Sequence, residues 1–138
     1  MNRKVLLSAQ LVESVPGHVT ARVVTAISFP CRPLRPVVPS ICAHDFRFVG
    51  VERLVRAELN GTPGHRSESV WPKRVDGGEK LVQTLPAYVF SEVFDRLEFE
   101  LDLPRFQAGE GLVLLVTSIN PGSRSFACGW IAEDLRDK

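Results

Sequence analysis

Cysteine is scarce in this chain: Cys31, Cys42 and Cys128 are the only three among 138 residues, and they are unevenly spaced. That excludes a disulfide framework and a zinc module built on paired cysteines, and it favours a reducing compartment. Net charge is just as scant, with 17 Lys and Arg against 16 Asp and Glu. A balance of +1 provides no bulk attraction to nucleic acid or to an anionic membrane surface. Long apolar runs are missing too, since no window approaches the roughly 18 residues that a membrane-spanning helix requires. At the start, "MNRKVLLSAQLVES" is basic, but its apolar run from Val5 to Leu7 is cut off by Ser8 and Gln10, the pattern of a strand and not of a signal peptide. The expectation is a soluble chain made in the cytoplasm, without a membrane partner.

What is present fits one globular domain. Hydrophobic residues make up 44% and charged residues 24%, and the length suffices to bury about two-thirds of the unfolded surface. Ten prolines and ten glycines divide the chain into short pieces rich in Val, Phe, Leu and Thr, which predicts many short strands. The first piece, about Lys4 to Ser14, ends at a Pro16-Gly17 turn. The second alternates, with Val19, Ala21, Val23, Thr25 and Ile27 on one side, and reads as its hairpin partner. "PCRPLRPVVPS", unable to donate at its prolines, reads as a stiff crossover or sheet edge. A strand follows at "ICAHDF", with Phe46 and Phe48 facing one way and a bulge at Gly50. Beyond it Val51, Leu54, Val55 and Leu59 also fit a helical period. "TPGHRSES" reads as a loop, "VWPKRV" as a short strand and Asp76-Gly77-Gly78 as a turn into "EKLVQTL". Pro86 could open a helix presenting Phe90, Val93 and Phe94, and "LEFELDLP" is a strictly alternating strand with Leu97, Phe99, Leu101 and Leu103 inward. About eight strands and at most one short helix predict an all-β antiparallel sandwich, jelly-roll-like, as a single domain over residues 1–138.

One strand departs from alternation. From Leu112 through Val113, Leu114 and Leu115 to Val116 every residue is apolar, so both faces must be covered. The second cover is either the chain itself or another subunit, because monomers rarely leave a large apolar patch in water. The surrounding pattern, "LDLPRFQAGEGLVLLVTSINPGSRSFACGWIAED", resembles the closing hairpins of small jelly-roll structural proteins of phages and viruses: an acidic strand, a glycine turn, an unbroken Val/Leu strand and a Phe-containing last strand. The resemblance covers about a quarter of the chain and rests on hydrophobic patterning. It implies a self-assembling coat or decoration subunit without catalysis, as found within virions or capsids, and it transfers no functional residue.

Several residue groups could carry chemistry. Cys42 and His44 would share a strand face, with Asp45 behind, as metal ligands or a nucleophile and base completed by His18 or His65; the alternative is a buried thiol and a hydrogen-bonded histidine at the core edge. Glu98, Glu100 and Asp102 form an acidic row suited to calcium or sugar chemistry, or simply a solvated strand face. Arg32, Arg35, Arg47, Arg53 and Arg56 would line a nucleic-acid groove only with interleaved exposed aromatics, which the sequence does not provide, so rim contacts between subunits suit them better. With 13 arginines against 4 lysines spread along the chain, base composition of the genome explains the bias better than forked anion recognition. "DGGEK" and "GEG" lack the strand and helix context of a phosphate loop and read as turns. The loop at 61–72 combines His65, Arg66 and a flanking Trp71 that could display an aromatic platform.

The expectation is a non-enzymatic self-associating structural subunit, with Leu112, Val113, Leu114, Leu115, Val116 and Trp130 at the interface or the core beside it. Its partners would be copies of itself or other protein subunits, and neither cofactor nor metal is called for. The alternative is a monomeric binding module for carbohydrate or protein using His65, Arg66 and Trp71.

Overall fold

The structure, a computed structural model, describes residues 3–72, 84–91 and 100–136. Among the described residues there are eight antiparallel strands: β1 (Lys4–Val15), β2 (Thr20–Ala26), β3 (Cys31–Val37), β4 (Phe46–Leu59), β5 (Thr62–Trp71), β6 (Leu85–Pro86), β7 (Gly111–Ser118) and β8 (Arg124–Asp134). One sheet runs β1-β8-β3; the other runs β2-β7-β4-β5, with β6 also on β4. The two pack face to face as a β-sandwich.

The pairing is that of a jelly roll. β1 lies on β8, β2 on β7 and β4 on β5, and the remaining position beside β3 is filled by the extended segment 101–106. There Cys31 and Phe106 exchange main-chain hydrogen bonds of 3.1 and 2.7 Å, and the Leu101 N–H donates to the Leu34 carbonyl at 2.8 Å. The segment keeps the expected alternation, with Leu101 and Leu103 buried and Glu100 and Asp102 exposed, yet forms no regular ladder at 100–105. Leu97, Glu98 and Phe99 lie outside the described residues.

β3 shows why a proline-rich stretch can serve as a strand. Pro33 and Pro36 pair with Ala132 and Trp130 of β8 at positions where the backbone points away from β8, so the missing N–H breaks no ladder bond. The stretch ends its sheet's ladder, as the edge reading has it, but its outer side is covered by the 101–106 segment and is not an open edge.

Other expectations are corrected. β1 and β2 do not form a hairpin, because the turn at Pro16-Gly17 carries the chain from one sheet to the other. That turn runs so close to the loop at 118–122 that a side chain on Gly17 would collide with the Pro121 carbonyl. The stretch at Ser40–Ala43 is a single helical turn and not a strand, and strand geometry begins at Phe46. Residues 54–59 continue β4 and are not helical. The predicted loop at 61–72 is strand β5, joined to β4 by the two-residue turn Asn60-Gly61, where φ is 52° and 79°. Both positive φ values match the twist of a hairpin, and Asn-Gly is the sequence that tolerates them. Leu59 and Thr62 face each other directly across it. At Pro86 a helix was expected; β6 and one 3-10 turn, Ala87–Phe90, stand there, while Val93 and Phe94 lie outside the described residues. So do the turn at Asp76-Gly77-Gly78 and residues 79–83 of "EKLVQTL"; of "VWPKRV", Val70 and Trp71 end β5.

The core lies between the sheets. Phe46 and Phe126 meet edge to face at 4.8 Å, and Phe48 stacks on Phe90 at 5.2 Å. Phe46 and Phe48 share the inward face, as their spacing predicts, and the register slips between Phe48 and Gly50, which is the bulge expected there.

Candidate functional site

β7 resolves the question of the uniform strand. It sits between β2 and β4, with Leu112, Leu114 and Val116 in the sandwich interior. Val113 and Leu115 face outward, yet Val113 is 0% exposed. Its cover comes from the chain. Arg22 of β2 stands opposite Leu115, and Glu52 of β4 stands opposite Val113. Their side chains meet at 2.7 Å, so the ion pair crosses β7 above the two apolar residues. Arg22 also donates to Ser67 of β5 at 3.4 Å. Trp130 is buried among core residues as well. The residues proposed as an interface, Leu112, Val113, Leu114, Val116 and Trp130, are therefore covered within the single chain, and Leu115 is half-buried.

The second candidate, the binding loop, is also rearranged. Trp71 is 8% exposed and belongs to the core cluster, so it displays no platform. His65 and Arg66 are exposed neighbours on β5, which makes them point to opposite faces. Arg53 on β4 and Arg66 share Glu68 at 2.7 and 3.1 Å, and hydrogen bonding from Arg53 first, with Arg66 adding, holds the Glu68 carboxyl below its usual range. The β4–β5 hairpin extends past β7, whose pairing with β4 stops at Leu54 and Gly111. Its projecting part carries a shallow concavity of about 690 Å³ lined by Arg56, Ala57, Glu58, Pro63, Gly64 and His65.

The remaining groups are dispersed. Cys42 is buried in its helical turn, its thiol directed to the Pro39 and Ala127 carbonyls at 3.6 and 3.9 Å, whereas His44 is exposed. The helical turn thus separates the pair that a strand would have aligned. Burial raises the pKa of Cys42, pushes Cys31 up to about 11 and Cys128 up to about 12, the reverse of what a nucleophile or metal ligand needs. No group of three His, Cys, Asp or Glu side chains positioned for a metal ion occurs among the described residues. The arginines are tied locally: Arg32 to Glu133 at 3.3 Å, Arg35 over the Phe90 ring, Arg47 to Thr84, and Arg53 to Glu68. They occupy two different sheets and form no groove.

One surface was not marked by the sequence pattern. On the outer face of the three-stranded sheet, Leu6 is 70% and Leu11 64% exposed, with half-buried Ala127 and Ile131 opposite them on β8 and half-buried Val37 on β3. Five residues apart, Leu6 and Leu11 would fall on opposite faces of a regular strand. A bulge between Leu7 and Gln10 reverses the parity and brings them to the same face. β1 is also an edge strand, and among the described residues no strand pairs with its far side.

The fold class is thus an antiparallel β-sandwich of jelly-roll pairing. Neither a family model, nor a curated protein, nor a solved structure matches this chain.

Proposed function

We propose that this protein is a non-enzymatic structural subunit that works by associating with further copies of itself, as coat and decoration proteins do. The observation that carries the reading is the outer face of the β1-β8-β3 sheet, where Leu6 and Leu11 are exposed beside an open strand edge. Large aliphatic side chains next to unpaired main-chain groups favour protein contact over water. The high thiol pKa values and the separation of Cys42 from His44 argue against the catalytic alternative. Native mass by light scattering over a dilution series tests it. A discrete or very large multiple of the 15.3 kDa chain is expected, and a monomer at every concentration would overturn it.

The concavity on the β4–β5 hairpin favours a second reading, a monomeric module that captures a carbohydrate or a protein there. A monomeric mass together with ligand-induced NMR shifts confined to Arg56, Ala57, Gly64 and His65 would establish it; shifts elsewhere or none would remove it.

A further inference from the structure

β1 reads almost the same in both directions when charge and polarity are exchanged end for end: "KVLLSAQLVE", residues 4–13. An antiparallel strand pairing with a second copy of itself would bring these two readings together. We infer that two copies associate through their β1 edges across a two-fold axis between Ser8 and Ala9, extending the three-stranded sheet into one of six strands. The inference rests on the self-association proposed above and names its route.

Three observations converge on this one register. The first is hydrogen bonding. The Asp134 N–H donates to the Arg3 carbonyl at 2.8 Å, so Arg3, and by alternation Val5 and Leu7, direct their main-chain groups to β8. Lys4 and Leu6 then present theirs to the free edge. On β8 the residues of the same set as Asp134 include Cys128 and Phe126, which face Gln10 and Val12. Leu11 is therefore the edge-facing residue beyond the bulge; at Glu13 a second bulge begins, and its carbonyl accepts from the Ser125 hydroxyl of β8 at 2.7 Å. In the two-fold register Leu6 stands opposite Leu11 of the second copy with main-chain donors and acceptors matched, and Lys4 stands opposite its Glu13, where the side chains and not the main chain make the contact. About four main-chain hydrogen bonds result, two for each of the two Leu6–Leu11 pairs.

The second is side-chain direction. Residues directly opposite in a sheet share a face. Leu6 and Leu11 both lie on the outer face, while Val5 and Val12 face inward, paired with Ala132 and Phe126. The bulge makes this possible: without it, residues of opposite parity could not stand opposite each other on one face. Since both strands carry the same extra residue over the same interval, the two arms remain in step.

The third is charge complementarity. Lys4 and Glu13 end opposite each other twice, once at each end of the junction. Glu13 has no ionic partner among the described residues, and Lys4 reaches Glu100 only at 3.8 Å with 64% of its side chain exposed. Shifting the register by two residues one way sets Lys4 against Leu11, and the other way sets Leu6 against Glu13. Neither alternative matches charge with charge or apolar with apolar.

The other sheet edges fit such a junction less well. β3 is covered by the 101–106 segment, β5 carries Pro63, Gly64, His65, Arg66 and Glu68, and β2 has Arg22 as its one charged residue, so it offers a second copy no complementary charge. Proline and charge are the usual means of blocking edge pairing, and β1 has no proline and keeps its charges at the two ends. A two-fold junction uses each β1 edge once and is closed, so it produces a dimer and not a fibre.

The test uses the full chain and light scattering across a dilution series. Lys4→Glu and Glu13→Lys each place like charges opposite one another at both ends and should weaken dimerisation roughly tenfold; the double variant Lys4→Glu/Glu13→Lys should restore it. Leu11→Pro deletes only an edge-facing N–H, so it should yield a folded monomer by circular dichroism. A multiple of the chain mass that none of these variants changes would overturn the β1 route while leaving self-association standing. A monomeric parent chain would overturn both. Loss of dimer in the single charge variants without rescue in the double would reject the Lys4 to Glu13 register.

Discussion

Val113 and Leu114 are adjacent, both fully buried, and covered by different things, which makes their truncation a test of how β7 is enclosed. Leu114 stands between Val23 and Val51 on the inward face of the middle of its sheet. Leu114→Ala removes three carbons from a close-packed interior that cannot fully collapse, and should cost about 3–4 kcal/mol. Val113→Ala removes two carbons from beneath the Arg22–Glu52 pair, at about 0.8 kcal/mol each, so about 1.5 kcal/mol is expected. The cavity contribution there is small, because the long side chains above can settle into the space. Against a typical stability of about 5–15 kcal/mol both variants remain folded. Urea titration followed by the fluorescence of the buried Trp71 and Trp130 reads each loss as a shifted midpoint with unchanged slope. At about 4 °C per kcal/mol, the melting temperature should fall by about 6 °C for Val113→Ala and by about twice that for Leu114→Ala. Native mass should be the same as that of the parent chain in both. If Val113→Ala leaves stability untouched but lowers the native mass, another subunit covers the outward face of β7 and the account of the ion pair as its roof is wrong.

Thr25 is 2% exposed and its Oγ1 is buried without a hydrogen-bond partner among the described residues, so Thr25→Val, which keeps the shape and deletes the hydroxyl, should raise stability by about 1 kcal/mol in the same titration; a loss would mean that the hydroxyl is solvated. The cysteines predict an alkaline loss of stability. Desolvation holds the thiols of Cys31 and Cys128 protonated in the fold up to about 11 and about 12, whereas an unfolded thiol ionises near 8.5. Their contribution is complete below the unfolded pKa and disappears as pH rises toward the folded values, since the unfolded state alone gains from ionisation in that window. The urea midpoint of the parent chain should therefore fall between about pH 8.5 and 11, and that of Cys128→Ala should fall less. Parallel pH profiles for the two proteins would refute the assignment.

Much of the architecture is legible in the residues, and the failures have particular causes. The alternation of Val23, Thr25 and Ile27, the inward pair Phe46 and Phe48, and the bulge at Gly50 all follow from period-two patterning and hold in the structure. Asn60-Gly61 carries the strongest short hairpin signal in the chain, and reading on into the polar "TPGHRSES" obscures it. Those polar residues are compatible with a strand because β5 is an edge strand and its projecting half has little to bury. Trp71 looks displayed beside that stretch, yet it lies at the end of β5 where the hairpin returns to the core. "ICAHDF" suggests a strand by its Phe spacing, but the helical turn after Pro39 interposes before Phe46 and sends Cys42 inward and His44 out.

From the sequence alone follow the fold class and the inward face of most strands, because both depend on local periodicity and on where proline and glycine interrupt it. The sequence also establishes that both faces of the strand from Leu112 to Val116 are covered. What covers them was decided only in three dimensions, where Arg22 and Glu52, thirty positions apart, arrive on either side of β7 and close above it. The same holds for β1: its residues are symmetric on paper, but which of them point outward depends on a bulge, and which main-chain groups are free depends on its pairing with β8. Periodicity is a property of neighbours in the chain, whereas cover and exposure are set by strands that meet only when the sheets assemble.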